Sequence, residues 1–182
     1  SPNCGERRGR AVPHLLILHY TGMADAQSAI ARLCACDSGV SSHYVVREDG
    51  SIVQCVPERL RAWHAGIACW DGVEDVNSHS IGIEIVNPGH DGGYPPFPTA
   101  QVDAVAALCR DVSARWAIAP RHVLAHSDVA PARKQDPGEK FPWARLAKAG
   151  VGHWVEPYPL AAAAGPEPGG LVELQQALRR YG

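Results

Sequence analysis

The sequence predicts an α/β domain: a central, mostly β sheet flanked by helices on both faces, with a short helical extension at the C-terminal end. Three observations predict it. Short apolar runs of strand length alternate with segments of helical periodicity. Asp49-Gly50 joins two β-rich runs, as in a hairpin. The 182 residues suit one domain of ordinary size with a sizeable core.

In order along the chain, residues 15–20 (Leu-Leu-Ile-Leu-His-Tyr) read as a buried strand. Residues 24–36 follow as a helix, with Ala26, Ala29, Ile30 and Leu33 at helical spacing. Segments 42–47 and 51–56 form the two strands of the hairpin. In strand 80–86, Ile81, Ile83 and Ile85 share one face, and Ser80, Gly82 and Glu84 the other. Residues 88–98 are a Pro/Gly-rich loop, and Thr99 is placed to cap a helix reaching Trp116. Its apolar stripe is Val102, Val105, Leu108, Cys109 and Val112. Residues 123–125 are a short strand ending at His126. Residues 141–149 are a helix with Pro142 in its first turn and Gly150 as its cap. The character changes after Gly152. Residues 153–170 are a Pro/Gly/Ala-rich linker, and 171–182 an amphipathic helix carrying Leu171, Leu174 and Leu178.

A net charge of −2 gives no field to attract nucleic acid or an anionic membrane, so neither partner is expected. No apolar run approaches the ~20 residues of a membrane span. Residues 1–10 are polar and basic without a signal-like apolar stretch, so a cytoplasmic monomer is expected; the alternative is a periplasmic protein whose signal preceded Ser1. The six cysteines lack C-x-x-C pairing and read as buried reduced thiols, or as disulfides in an exported protein. The one C-x-C, Cys34 and Cys36, falls in the helical pattern, where i and i+2 diverge.

Two histidines end apolar strands, His19 and His126, and Asp136 follows ten residues after the second. The C-terminal edge of a sheet is where α/β proteins carry functional groups. Two imidazoles and a carboxylate, with a fourth position open, make a catalytic zinc site. With nine histidines in the chain, spacing alone leaves the alternative open, that these are core or rim histidines satisfied by ordinary hydrogen bonds. G-x-S-x-G, P-loop and H-E-x-x-H motifs are absent, which removes support for serine hydrolase, nucleotide-binding and zincin readings.

Five motifs occur in order: His19-Tyr20-Thr21; Ser42-His43-Tyr44; Ala62-Trp63-His64-Ala65-Gly66; Asn77 with Ser80-Ile81-Gly82-Ile83-Glu84-Ile85-Val86-Asn87; and His126-Ser127-Asp128-Val129-Ala130-Pro131 with Arg133-Lys134-Gln135-Asp136-Pro137-Gly138. Together they resemble the N-acetylmuramoyl-L-alanine amidase family of the AmpD and AmiD type, across about residues 14 to 150. The resemblance implies one Zn²⁺ per chain held by His19, His126 and Asp136, with Glu84 moving protons and Lys134 stabilising the tetrahedral intermediate. It makes residues 1–152 the catalytic domain, and likens 171–182 to the start of a peptidoglycan-binding domain.

Other residues of the motifs keep two readings. His64, beside Trp63, lines the substrate groove or packs structurally. His43 reads as structural, and the other histidines as surface or local hydrogen-bonders. Tyr44 faces the site or is a core aromatic with a wet hydroxyl. Arg133 meets a substrate carboxylate or is a solvated loop charge. Asn77 holds the approach to Glu84 or forms a turn. The expected partner is a muropeptide or peptidoglycan, and the expected activity is hydrolysis of the lactyl-to-L-alanine amide in cell-wall recycling. The alternatives are an amidase of the polymeric wall, a peptidase on the same scaffold and a binding module of the same fold.

Overall fold

The computed structural model describes residues 1–156 together with Val172, Glu173, Gln175 and Gln176. Its strands are β1 (Cys4–Gly5), β2 (Leu15–Tyr20), β3 (Tyr44–Val46), β4 (Ile52–Gln54), β5 (Arg61–Ala62), β6 (Ser80–Ile85) and β7 (Val123–Ala125). Its α-helices are α1 (Ala26–Cys34), α2 (Val76–His79), α3 (Thr99–Trp116), α4 (His126–Val129) and α5 (Trp143–Lys148).

A five-stranded sheet has the order β4-β3-β6-β2-β7. β3, β6, β2 and β7 are parallel, and β4 closes one edge as the antiparallel arm of the hairpin. Alternation within the strands divides the core. Leu16, Leu18, Ile81, Ile83 and Ile85 face Val105, Cys109 and Val112 of α3 and Leu146 of α5. Leu15, Ile17 and Leu124 face the other way, onto Ala65, Trp70 and Val76. Val45, on that second face, meets Leu33 of α1. Helices thus cover both faces, as the sequence predicts. Gln101 of α3 is buried and donates from Nε2 to the carbonyls of Val46 (3.2 Å) and Val86 (2.8 Å), which ties the helix to the ends of β3 and β6.

The helix ends differ from expectation in three places. Thr99 is not a cap: it is the first residue of α3, Pro98 occupies the cap position, and no side chain caps the helix. Helix α1 is shorter than 24–36, because Asp25 caps it by accepting the Ser28 N–H at 2.7 Å. Pro142 precedes α5 rather than lying in its first turn. At the other end of α5, the N–H groups of Gly150 and Val151 donate to Ala147 and Leu146, the Schellman arrangement expected of a glycine stop.

All six cysteines are free thiols, but only Cys55 and Cys109 are buried. Cys34, Cys36 and Cys69 are exposed, so the buried-thiol expectation fails for those three. Cys36 also lies beyond the end of α1, outside the helix that the i, i+2 argument assumed. Val172, Glu173, Gln175 and Gln176 are helical and exposed; residues 157–170 and the rest of the expected 171–182 helix lie outside the described residues.

The N-terminal segment is more firmly built in than its polar composition suggests. β1 pairs antiparallel with β5. Arg7 is buried, and its guanidinium donates to the carbonyls of Glu58 (2.7 Å) and Ser78 (2.7 Å) and more weakly to those of Asn77 and Ser80. Burial lowers its pKa to about 10, with the Glu58 charge opposing the fall and Arg61 adding to it. Removing the side chain strands several buried carbonyls, so Arg7→Ala is expected to cost about 3 kcal/mol in chemical denaturation. Lys in its place should restore only part of that, having one point of donation instead of a planar fork. A loss below about 1 kcal/mol for Arg7→Ala would show that the tether is idle.

Candidate metal centre and substrate cleft

Strand register brings the chemistry together. β2 lies between β6 and β7, with His19 opposite Glu84 and Leu18 opposite Ala125. His126 is the next residue after β7, so it arrives at the level of His19. It opens the short helix α4, where Asp128 reaches back to accept the Ala125 N–H at 2.8 Å. Asp136 comes from the following loop, and its carbonyl accepts the Ser127 N–H at 3.0 Å.

Three donor atoms converge. His19 Nδ1 and His126 Nδ1 are 2.9 Å apart, and Asp136 Oδ2 is 3.1 and 3.0 Å from them. All three residues are buried. Among the described residues, this is the one group of three or more such side chains compact enough to hold a metal ion.

The outward nitrogens fix the tautomers. The Ala65 carbonyl, 3.0 Å from His126 Nε2, can only accept, so Nε2 carries the proton and Nδ1 offers a lone pair. A longer chain does the same for His19. Ser80 Oγ donates to the Val76 carbonyl at 2.6 Å, so it accepts from His64 Nε2 at 3.1 Å. His64 Nδ1 is then an acceptor, and His19 Nε2 donates to it at 3.0 Å. With the outward nitrogens donating, the two Nδ1 atoms are left to face one point beside a carboxylate, the arrangement a cation requires.

Titration agrees. Burial lowers the His19 imidazole to about 4, with His126 adding to the effect. Burial would raise the Asp136 carboxyl, but the adjoining His126 and His19 rings outweigh it and hold it well below the usual carboxylate range.

Glu84 stands on the face of β6 opposite the isoleucines. Its Oε2 is cut off from solvent without a hydrogen-bond partner. Burial lifts its carboxyl to about 8; Asp136 adds to the rise and Lys134 opposes it. Glu84 and Lys134 both line a cleft of about 420 Å³ that opens over the three donors.

The remaining candidates divide. Trp63, His64 and Arg133 line the same cleft. His64 also packs edge-on against His19, and its ring lies so close to β6 that a Cβ on Gly82 would sit 2.5 Å from it. Arg133 is not a free charge: its Nη2 donates to the carbonyls of Ala65 and Ile67, each at 2.7 Å. Asn77 is outside the cleft. Its Oδ1 accepts the N–H groups of His64 (3.0 Å) and Ala65 (2.8 Å), so it shapes the loop behind the site. Tyr44 is also elsewhere, buried with its hydroxyl donating to Glu58 at 2.7 Å. His43 is structural, accepting the Gly82 N–H at 2.9 Å.

Comparison with known proteins meets this geometry directly. Residues 8–139 match the family described as N-acetylmuramoyl-L-alanine amidase. The chain belongs to the N-acetylmuramoyl-L-alanine amidase family. Within that family it is 42% identical over 184 residues to the N-acetylmuramoyl-L-alanine amidase AmiD of Escherichia coli, covering 92% of this chain and 66% of that protein, just under two thirds of its length. It is 35% identical over 163 residues to the 1,6-anhydro-N-acetylmuramyl-L-alanine amidase AmpD of the same organism, covering 80% of this chain and 87% of the relative. The solved complex of E. coli AmiD with anhydro-N-acetylmuramic acid-L-Ala-D-gamma-Glu-L-Lys matches with a TM-score of 0.80 and 38% identity, covering 100% of this chain and 80% of that one.

Within the amidase fold, the sequence reading missed the support behind His19. Its signal was present: the alternation that sets Glu84 apart from the isoleucines also puts Ser80 and Gly82 on the site face. What could not be read was that a histidine from a distant loop docks on that small-residue strip.

Two outcomes are expected. Ser80→Ala and Gly82→Ala, which loosen His64, should each weaken metal affinity about 10- to 100-fold in chelator competition; unchanged affinity in both would show that the relay does not orient His19. For the metal-free protein, Glu84 has a folded pKa above its unfolded value. Between pH 4.5 and about 8 the native state holds a proton that the unfolded chain releases, so stability falls as pH rises through that window. The slope is at most about 1.4 kcal/mol per pH unit, and Glu84→Gln should remove it. Identical pH profiles for the two metal-free proteins would contradict the burial of this carboxylate.

Proposed function

We propose that the chain is a zinc-dependent amidase that hydrolyses the amide between the lactyl group of muramic or anhydromuramic acid and L-alanine. The observation that carries this reading is the convergence of His19, His126 and Asp136 beside the unpartnered Glu84 oxygen, in a cleft that also holds Lys134. Donor atoms of a tetrahedral site with bonds of ~2.0–2.1 Å lie about 3.3 Å apart, close to the spacing seen here, and a His₂/carboxylate set with one open position suits zinc. Bound there, Zn²⁺ would supply Lewis acidity, polarising a carbonyl and bringing the pKa of a water down to ~7.

The chain's own residues do the rest. Glu84 Oε2, stripped of solvent and partner, accepts the proton of the attacking water as general base. Attack on the lactyl carbonyl creates an oxyanion, and the Lys134 ammonium compensates that charge within the cleft. Glu84 then delivers its proton to the departing alanine nitrogen. A base with raised proton affinity suits both halves of that exchange. Trp63 and His64 wall the cleft, and Arg133 adds positive charge at its rim for a peptide carboxylate.

For biological role, we propose soluble anhydro-muropeptides as the substrate and cell-wall recycling as the setting. The relative of known structure was solved with an anhydromuramyl tripeptide bound, and a cleft of about 420 Å³ is of the size that encloses a small ligand. Among the described residues, no helix is long and apolar enough to cross a membrane.

Mass spectrometry of products tests the chemistry: the expected pair is an anhydromuramyl sugar with a free lactyl carboxylate and a peptide beginning with free L-alanine. Cleavage within the peptide instead would establish a peptidase, and no cleavage by zinc-loaded protein a binding module. Purified protein should carry about one zinc per chain. Glu84→Ala should retain zinc and lose about 10²- to 10⁴-fold in kcat, whereas Asp136→Ala should lose zinc and activity together. The ratio of kcat/KM on soluble anhydro-muropeptide to the rate of release from intact sacculi tests the role; comparable efficiency on sacculi would favour the polymeric wall.

A further inference from the structure

Asp136 is the one metal ligand that comes from a loop, and its position has to be set by something other than sheet register. Its own carbonyl accepts the Ser127 N–H at 3.0 Å, beside His126. The next carbonyl, of Pro137, accepts the Tyr94 hydroxyl at 2.7 Å. The same hydroxyl accepts the Lys140 N–H at 3.0 Å, so Tyr94 grips the loop on both sides of Gly138. A Cβ on Gly138 would lie 2.4 Å from Tyr94 Oη and 2.8 Å from His90 Cε1, and its φ is +81°, so this close approach requires glycine.

Tyr94 is itself held. It is buried, and its backbone is left-handed (φ 39°), a conformation that a bulky residue keeps only where packing enforces it. His90 stacks on its ring at 4.3 Å with planes 28° apart. The His90 tautomer is fixed: the Glu139 carboxylate accepts from Nε2 at 2.9 Å, so Nδ1 accepts the Tyr20 hydroxyl proton at 3.0 Å. Tyr20 adjoins the ligand His19 in β2. One connected set of contacts therefore runs from the strand that carries one ligand to the loop that carries another.

We propose that His90 and Tyr94 are positioning residues that clamp the Asp136 loop against β2 and set the geometry of the metal centre. The inference rests on the metal reading above. Neither residue touches the metal or the reacting atoms; they act by removing alternatives for the Asp136 backbone. A carboxylate presented by a loop loses affinity for a metal when that loop is free to move, because the ordering must then accompany binding.

The test uses metal-free full-length protein, with Zn²⁺ affinity measured by chelator competition and ligand geometry read from the visible spectrum of the Co²⁺ form. Tyr94→Phe removes only the hydroxyl, and His90→Ala removes the stack and the link to Tyr20. Each should weaken Zn²⁺ binding about 10-fold or more and alter the Co²⁺ bands, with far-UV circular dichroism unchanged. Val112→Ala, a cavity variant in α3 away from the site, should lower thermal stability and leave affinity and spectrum at wild-type values. If His90→Ala does not fold, Tyr94→Phe decides. Wild-type affinity and spectrum in Tyr94→Phe, or an equal loss of affinity in Val112→Ala, would overturn the clamp. A wild-type protein that takes up no zinc would overturn the metal reading together with the clamp, whereas equal binding by wild type and variants overturns the clamp alone.

Discussion

Two imidazole nitrogens 2.9 Å apart that share one carboxylate oxygen cannot all be satisfied by protons once their outer nitrogens have donated elsewhere. Burying three acceptors at one point is costly unless a cation joins them. Most of the structure around the site follows from meeting that constraint. The parallel order β6-β2-β7 sets His19 and His126 at one level, and a backbone carbonyl and a serine-terminated relay hold their lone pairs inward.

The same burial sets the two carboxylates of the cleft apart. Asp136 keeps its charge beside the His126 and His19 rings, while Glu84, on the face of β6 away from the isoleucines, has no such neighbour in contact and its carboxyl is raised by burial. Two carboxylates at one site are thus shifted in opposite directions by their surroundings, which suits the proposed roles of ligand and base. Asn77 and Arg133 support this indirectly. Both bind the backbone of the 64–67 loop, whose Ala65 carbonyl in turn orients His126.

Much of this was legible in the sequence, and the reason is periodicity. Alternation in residues 80–85 separates Glu84 from the isoleucines, and apolar runs ending in His19 and His126 mark the functional edge of a parallel sheet. Strand existence survived better than helix ends: Thr99 looks like a cap, yet Pro98 takes the position. Long-range packing was not legible. Nothing local says that Arg7 is buried under Ser78, that Tyr44 turns to Glu58, or that His90 stacks on Tyr94, because each partner lies far away in the chain or in a loop without period. Exposure of Cys34, Cys36 and Cys69 was missed for a related reason: composition reports how often a residue type is buried, not where.

The central claim is that His19 Nδ1, His126 Nδ1 and Asp136 Oδ2 hold one catalytic zinc. The most direct measurement is a crystal structure of the zinc-loaded protein with anomalous differences recorded on both sides of the zinc edge. The expected result is one strong peak per chain, with both Nδ1 atoms and one Asp136 oxygen at about 2.0–2.2 Å and Glu84 outside bonding distance. A peak bound through Nε2, a peak ligated by Glu84, or no peak among these three residues would contradict it.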